Sequence, residues 1–226
     1  MKKKWIPTVV LVAVASLMFY AKSSDSKMDS GQAMSSKKSL ERLIQGNERF
    51  MAGNPLYPNQ EFERRKETVE KQTPFAIVVS CSDSRVPTEI IFDQGIGDIF
   101  VVRVAGNVVG PIELDSIEYA ADILKSPLIV VLGHQNCGAV KAILEMEKTG
   151  VYSEDIQNIV PFIQPAIQES KGKAGDPLAN AITANINNVV NYLNETEILA
   201  KLVRENKLEI VGGYYTLEKG KIEIFK

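Results

Sequence analysis

An α/β fold built on a mostly parallel sheet is what the sequence predicts. Three continuous apolar runs carry the prediction: "PFAIVVS" at 74–80, "IFVVRVA" at 99–105 and "SPLIVVLG" at 126–133. None alternates polar with apolar, so each reads as a strand covered on both faces, as parallel sheets are. The segments between and after them carry helical spacing, and strands alternating with helices define the class.

The elements follow in order. "MKKKWIPTVVLVAVASLMFYA" opens with three lysines and continues as an uncharged, mostly apolar run from Trp5 to Ala21. That is the pattern of an export signal or an uncleaved membrane anchor over 1–22. Residues 23–36, rich in Ser, Lys and Asp, read as a flexible linker, and 37–226 as the main domain. "SSKKSLERLIQGNERFMAG" sets Leu40, Leu43, Ile44 and Phe50 on one helical face and stops near Gly53. "EFERRKETVEKQ" is a charged helix or turn. After the second strand, "ELDSIEYAADILK" aligns Leu114, Ile117, Ala121 and Leu124; after the third, "CGAVKAILEMEKTG" is a helix closed by Gly150. Residues 153–206 read as helices interrupted by Pro161, Pro165 and the "KGKAGDP" loop. "KLEIVGGYYTLEKGKIEIFK" reads as a strand, a turn at Lys219-Gly220 and a final strand. There is no internal repeat.

Composition narrows the function. The 226-residue chain has a net charge of −2 and a pI near 5.6, with no basic stripe to meet nucleic acid. "GIGDIF" at 95–100 fails as a dinucleotide motif, because it precedes a strand and Phe100 replaces the third glycine.

Chemistry concentrates at two strand ends, where ligands bind in open α/β sheets. "VVSCSDSRVPTEIIF" puts Cys81 just past the first strand, with Asp83 and Arg85 behind it; "GHQNCGAV" puts His134 and Cys137 just past the third. The chain contains two cysteines and one histidine, and all three fall in this layer. Cys81, His134 and Cys137 supply three of the four ligands of a tetrahedral zinc site, and Asp83 offers a carboxylate as the fourth. Thiolates suit zinc and disfavour calcium or magnesium. A Cys81–Cys137 disulfide is the alternative in an oxidising compartment, but it leaves His134 without a role. Arg85 beside Asp83 holds that carboxylate ionised. If Arg85 draws Asp83 off the metal, the fourth position opens to water, and zinc makes that water acidic enough to act as hydroxide.

"CSDSRVPTEIIFDQGIGDIFVVRVAGN", "SIEYA" and "VVLGHQNCGAV" closely resemble the β-class carbonic anhydrases, as do "LERLIQGNERF" and "IVGGYYTLEKGKIEIF". The resemblance runs from about Ser39 to the C-terminus. It implies a parallel sheet of four strands with an added antiparallel strand, flanked by helices, with the first helix an arm packed across a partner. It implies a homodimer or dimer of dimers, one Zn2+ per chain on Cys81, His134 and Cys137, and zinc-dependent reversible hydration of carbon dioxide to bicarbonate and a proton. Asp83 would either ligate zinc in a closed state or pair with Arg85 in an open one. Members with a regulatory bicarbonate pocket carry a tryptophan where this chain has Val78; Val86 and Arg103 match the rest of that pocket, so it is expected to be absent or weak. Other members contact substrate through a glutamine after the first motif, and Gln94 takes that place at a slightly different spacing. Gly138 begins a helix whose amides favour an anionic product.

If His134 binds zinc, no histidine is left to carry protons, so the rate is expected to depend on buffer. Two other activities fit the same residues: hydrolysis of carbonyl sulfide or carbon disulfide, and a non-catalytic, zinc-stabilised binding module. The export pattern places the protein in the periplasm or cell envelope.

Overall fold

The structure, a computed structural model, describes residues 34–151 and 154–225. The expected leader and all but residues 34–36 of the expected linker lie outside them. No helix among the described residues is long and apolar enough to cross a membrane.

Helices α1 (Ser36–Met51) and α2 (Phe62–Glu67) precede β1 (Ala76–Ser80); short α3 (Thr88–Ile91) leads to β2 (Ile99–Arg103). Helix α4 (Pro111–Glu118) runs into a π-turn at Tyr119–Ile123 and then β3 (Leu128–His134). Four helices follow: α5 (Gly138–Thr149), α6 (Val160–Ser170), α7 (Pro177–Glu195) and α8 (Glu197–Arg204). Strands β4 (Glu209–Thr216) and β5 (Lys221–Phe225) close the chain. The sheet order is β2-β1-β3-β4-β5; the first four strands are parallel and β5 is antiparallel to β4. This is the predicted sheet. The turn before β5 uses Gly220 at φ +66, a left-handed conformation that glycine adopts without a Cβ penalty.

Each face of the sheet carries its own core, as the two-residue period of a strand requires. Ile77, Val79, Ile129 and Val131 face Val140, Ile143, Ile163, Ile182 and Ile186 from α5, α6 and α7. Ala76, Val78, Leu128, Val130 and Leu132 face Leu43 of α1 with Ile91 and Phe92. The second cover is thin, and polar bonds hold it. Asn47 of α1 donates to the carbonyls of Ile91 (3.0 Å) and Gly220 (2.8 Å) and accepts from the Ile222 amide (2.9 Å). Gly46 lets α1 touch the turn behind α3: a Cβ there would sit 1.7 Å from the Phe92 carbonyl oxygen.

One local expectation is corrected. Pro161 and Pro165 do not interrupt the helical region; α6 begins beside Pro161 and continues through Pro165. An internal proline costs a helix about 3 kcal/mol. Fully burying Ile163 and Ile167 returns about 1.5–3 kcal/mol for each side chain, so packing outweighs the lost bond.

Gly46→Ala is expected to lower the stability by about 1–3 kcal/mol, because backbone must move to admit the methyl group. Urea unfolding at fixed protein concentration checks this; an unchanged midpoint would mean that α1 does not rest on the turn at Phe92.

Candidate metal centre

The chain passes from β1 to β2 on one side of the sheet, and β3 lies on the other side of β1. A crevice therefore opens between the carboxyl ends of β1 and β3, the switch point at which such sheets bind ligands. Ser80 is level with Leu132, so the chain just beyond β1 faces the last residues of β3. Cys81 follows β1 directly. His134 is the last residue of β3, one step earlier than the sequence suggested, and Cys137 is the N-cap of α5. Asn136, at φ +55, makes the tight turn between them; asparagine tolerates this region better than most residues.

The Sγ atoms of Cys81 and Cys137 and a ring nitrogen of His134 all lie within 4.8 Å of one another, and all three residues are buried. Ligands about 2.0–2.3 Å from a zinc ion must lie about this close together. Both cysteines are free, so the disulfide alternative is not what the structure shows. Nδ1 of His134 faces the Gln135 carbonyl at 2.9 Å. A carbonyl only accepts, so Nδ1 carries the proton and Nε2 keeps its lone pair. Nε2 is buried and has no hydrogen-bond partner. An orphaned acceptor beside two thiols is what a metal would complete. The donor set fits zinc.

The two thiols share a proton unevenly. Cys81 is lowered to about 4, chiefly because the Cys137 side chain donates to it, against the opposing effect of burial; the Gly106 amide assists. Cys137 is pushed up, because its proton is held in that bond and because it is buried. Loading with metal must displace this proton.

Asp83 does not point away. Its Oδ2 is 3.8 Å from Nε2 of His134. Arg85 grips it from the side: Nε to Oδ1 at 2.9 Å, a second guanidinium nitrogen to Oδ2 at 2.7 Å, and the Arg85 amide to Oδ1 at 2.9 Å. The guanidinium also donates to the Asn136 carbonyl at 3.2 Å, tying the first motif to the second. These Arg85 bonds, more than the charge of the site, hold the Asp83 carboxyl well below the usual carboxylate range.

Three contributors were not legible as site residues. The Gly106 amide donates to Cys81 Sγ at 3.3 Å. Arg103 donates to the carbonyls of Cys81 (3.0 Å) and Asp83 (2.7 Å), clamping the loop that carries both. Asn185 of α7 donates to the Gly106 carbonyl. Only a Gly-Asn pair after a strand, a turn signal, hinted at the first. With Arg103 so engaged, Val78 and Val86 are fully buried in the second core. Gly138 opens α5, and a Cβ built on it meets nothing within 4 Å. Gln94 donates through Nε2 to the Phe92 carbonyl (2.8 Å) beside Gly46 of α1, and its Oε1 is buried without a hydrogen-bond partner.

The family profile described as carbonic anhydrase matches residues 76–222. The chain belongs to the β-class carbonic anhydrase family. It is 44% identical over 185 residues to the carbonic anhydrase of Mycolicibacterium smegmatis, covering 80% of this chain and 89% of that one. It is 38% identical to carbonic anhydrase 2 of Mycobacterium tuberculosis over 79% of this chain and 87% of the other. The solved β-carbonic anhydrase CcaA superposes with a TM-score of 0.66 at 25% identity, covering 83% of this chain and 95% of that one. In this carbonic anhydrase, as in the residues read from the sequence, the soft donors and the carboxylate–guanidinium pair meet at one strand-end crevice.

Because the folded value of Asp83 is depressed, its bond to Arg85 adds stability above the unfolded carboxyl's pKa of about 3.9. That stability is lost as pH falls through the lower folded value. Carboxyl 13C titration of the metal-free protein is expected to place the Asp83 midpoint below about 3.9, and Arg85→Ala to raise it. An ordinary midpoint in the unmodified chain would show that Arg85 does not hold Asp83.

Proposed function

We propose that Cys81, His134 and Cys137 hold the zinc with which this enzyme hydrates carbon dioxide, while Asp83 and Arg85 govern access to it. The observation that carries the assignment is the orphaned Nε2 of His134, facing both thiols with the Asp83 carboxylate 3.8 Å away. Zinc bound there supplies the Lewis acidity that lets water lose a proton near neutral pH. The side chains supply the rest. Asp83, held ionised by Arg85, accepts a hydrogen bond from the attacking water and orients it. If Arg85 releases it, Asp83 is near enough to close the fourth position itself. The open space beside Gly138, at the positive end of α5, favours the bicarbonate product. Gln94 as a substrate contact rests on the family resemblance alone. His134 is the chain's one histidine, so the released proton leaves by a carboxylate, a tyrosine, water or external buffer.

The domain from about residue 37 onward is exported, to the periplasm or cell envelope, by the lysine-led apolar segment at its start, cleaved or kept as an anchor. It assembles as a homodimer or dimer of dimers. Large apolar side chains left exposed at Leu56, Phe62, Val69 and Ile112 support assembly, and the Sordaria macrospora β-carbonic anhydrases of the same fold are described as tetrameric. Light scattering of the purified domain that gives a single-chain mass would reject assembly, and signal-dependent recovery from the cell envelope checks export.

Stopped-flow hydration of carbon dioxide between roughly pH 6.5 and 9, on leaderless protein with its zinc assayed, tests the function. One zinc per chain and activity rising with both pH and buffer concentration are expected. Cys137→Ala and His134→Ala should lose zinc and activity together. Asp83→Asn should keep zinc and lose about 10²–10⁴-fold in rate. Full zinc with no hydration at any pH would overturn the proposal.

A further inference from the structure

One ligand of this site, Cys81, is met by a turn of two left-handed residues. Beyond β2 the chain enters two left-handed residues in succession, Gly106 at φ +72 and Asn107 at φ +47. This points the Gly106 amide at Cys81 Sγ, 3.3 Å away. Glycine takes such a conformation at no steric cost, but it also leaves it easily. A second left-handed residue that is not glycine needs support from outside the turn.

Support comes from α7. Asn185 is almost fully buried, and its Nδ2 donates to the Gly106 carbonyl at 2.8 Å, across 79 positions of sequence. The Gly106 Cα, which joins that carbonyl's peptide unit to the one carrying the N–H, is enclosed sterically: a Cβ there would sit 2.6 Å from Ile163 of α6 and 3.2 Å from Ala139 of α5. On either side of Asn185, α7 carries Ile182 and Ile186, which fill the space a Cβ on Gly133, the residue before His134, would occupy. One helix therefore braces both ligand-bearing segments, the β1 side through a hydrogen bond and the β3 side through packing. Packing alone would not need an amide at position 185. An apolar side chain there would avoid the buried Oδ1 of Asn185, which has no partner. The polar group is retained for its Nδ2 bond.

We propose that Asn185 is a positioning residue of the metal centre: by holding the Gly106 carbonyl it fixes the Gly106 N–H on the Cys81 thiolate and so sets the donor strength of that sulfur toward the metal. This rests on the assignment of Cys81 as a ligand. It extends the site to a residue that touches neither the metal nor the substrate. A hydrogen bond to a ligating sulfur draws electron density from it, and partners of this kind change metal affinity or activity by about 10–100-fold.

The test uses the holoenzyme reconstituted with cobalt, whose sulfur-to-metal charge-transfer absorption reports the thiolates directly. Asn185→Leu keeps the bulk and removes the donor; Asn185→Ala is the second variant. Without the Gly106 bond, Cys81 gives up an electron more easily. The absorption should move to longer wavelength, and the chelator concentration that removes half the zinc should shift by about 10-fold. The thermal midpoint reports structural damage separately. Bands and chelator midpoint unchanged from the parent in either folded variant would overturn the proposal. So would failure of both variants to fold, which would make Asn185 a packing residue of the core. If the parent protein itself takes up cobalt without any sulfur charge-transfer band, the ligand assignment fails instead, and that outcome is distinct from the other two.

Discussion

Two thiols and an imidazole cannot be buried side by side without something that repays their desolvation. The rest of this structure is arranged around that constraint. A buried histidine with an unpartnered nitrogen, next to a pair of thiols sharing a proton, is unfavourable on its own and favourable once a soft cation joins them. The parallel sheet answers the geometric half of the problem. Its switch point brings the end of β1 to the end of β3 at fixed register, so the ligands come from rigid strand ends. Backbone donors answer the electrostatic half. The Gly106 amide faces one sulfur, and the amides of Ala139 and Val140 at the start of α5 draw the other down against its burial.

The carboxylate beside the thiols is placed at smaller scale, within five residues of chain. Asp83 and Arg85 are two positions apart, so their pairing uses both the side chain and the backbone amide of Arg85. Arg103 then fixes the carbonyls of Cys81 and Asp83, so the Asp83 side chain stands on a held backbone. A pair of this kind is worth little for stability at a half-exposed guanidinium. Its value lies in placing a charge.

Much of this could be read from residues. Uninterrupted apolar runs gave β1 and β3, which are covered on both faces as expected, and β2, which lies instead at the sheet edge and stays mostly half-buried. The lone histidine and the two cysteines stood out because those residue types are otherwise absent. Arg85 and Asp83 were legible because charge at a strand end needs a reason. What escaped was of two kinds. Pro165 was read as a break, since proline's local cost is visible in sequence while the burial of Ile163 and Ile167 that overrides it is not. The Gly106 amide and Asn185 escaped because every residue but proline offers a backbone amide, and because a partner 79 positions away leaves no local trace. Gln94 was singled out by the family resemblance alone; its Nε2 donates to the Phe92 carbonyl two residues back.

The complete burial of the only histidine reaches beyond the active site. Between about pH 5 and 8 imidazole is the one ordinary side chain that changes charge, and here it is enclosed at the base of a crevice with its Nδ1–H given to a carbonyl. Outside this site the chain carries carboxylates, lysines and arginines, whose ordinary pKa values lie on either side of that interval. An enzyme that releases a proton with every hydration turnover thus carries few groups that change charge as it acidifies its surroundings. Its solubility and its electrophoretic mobility are insulated from the product of its own reaction.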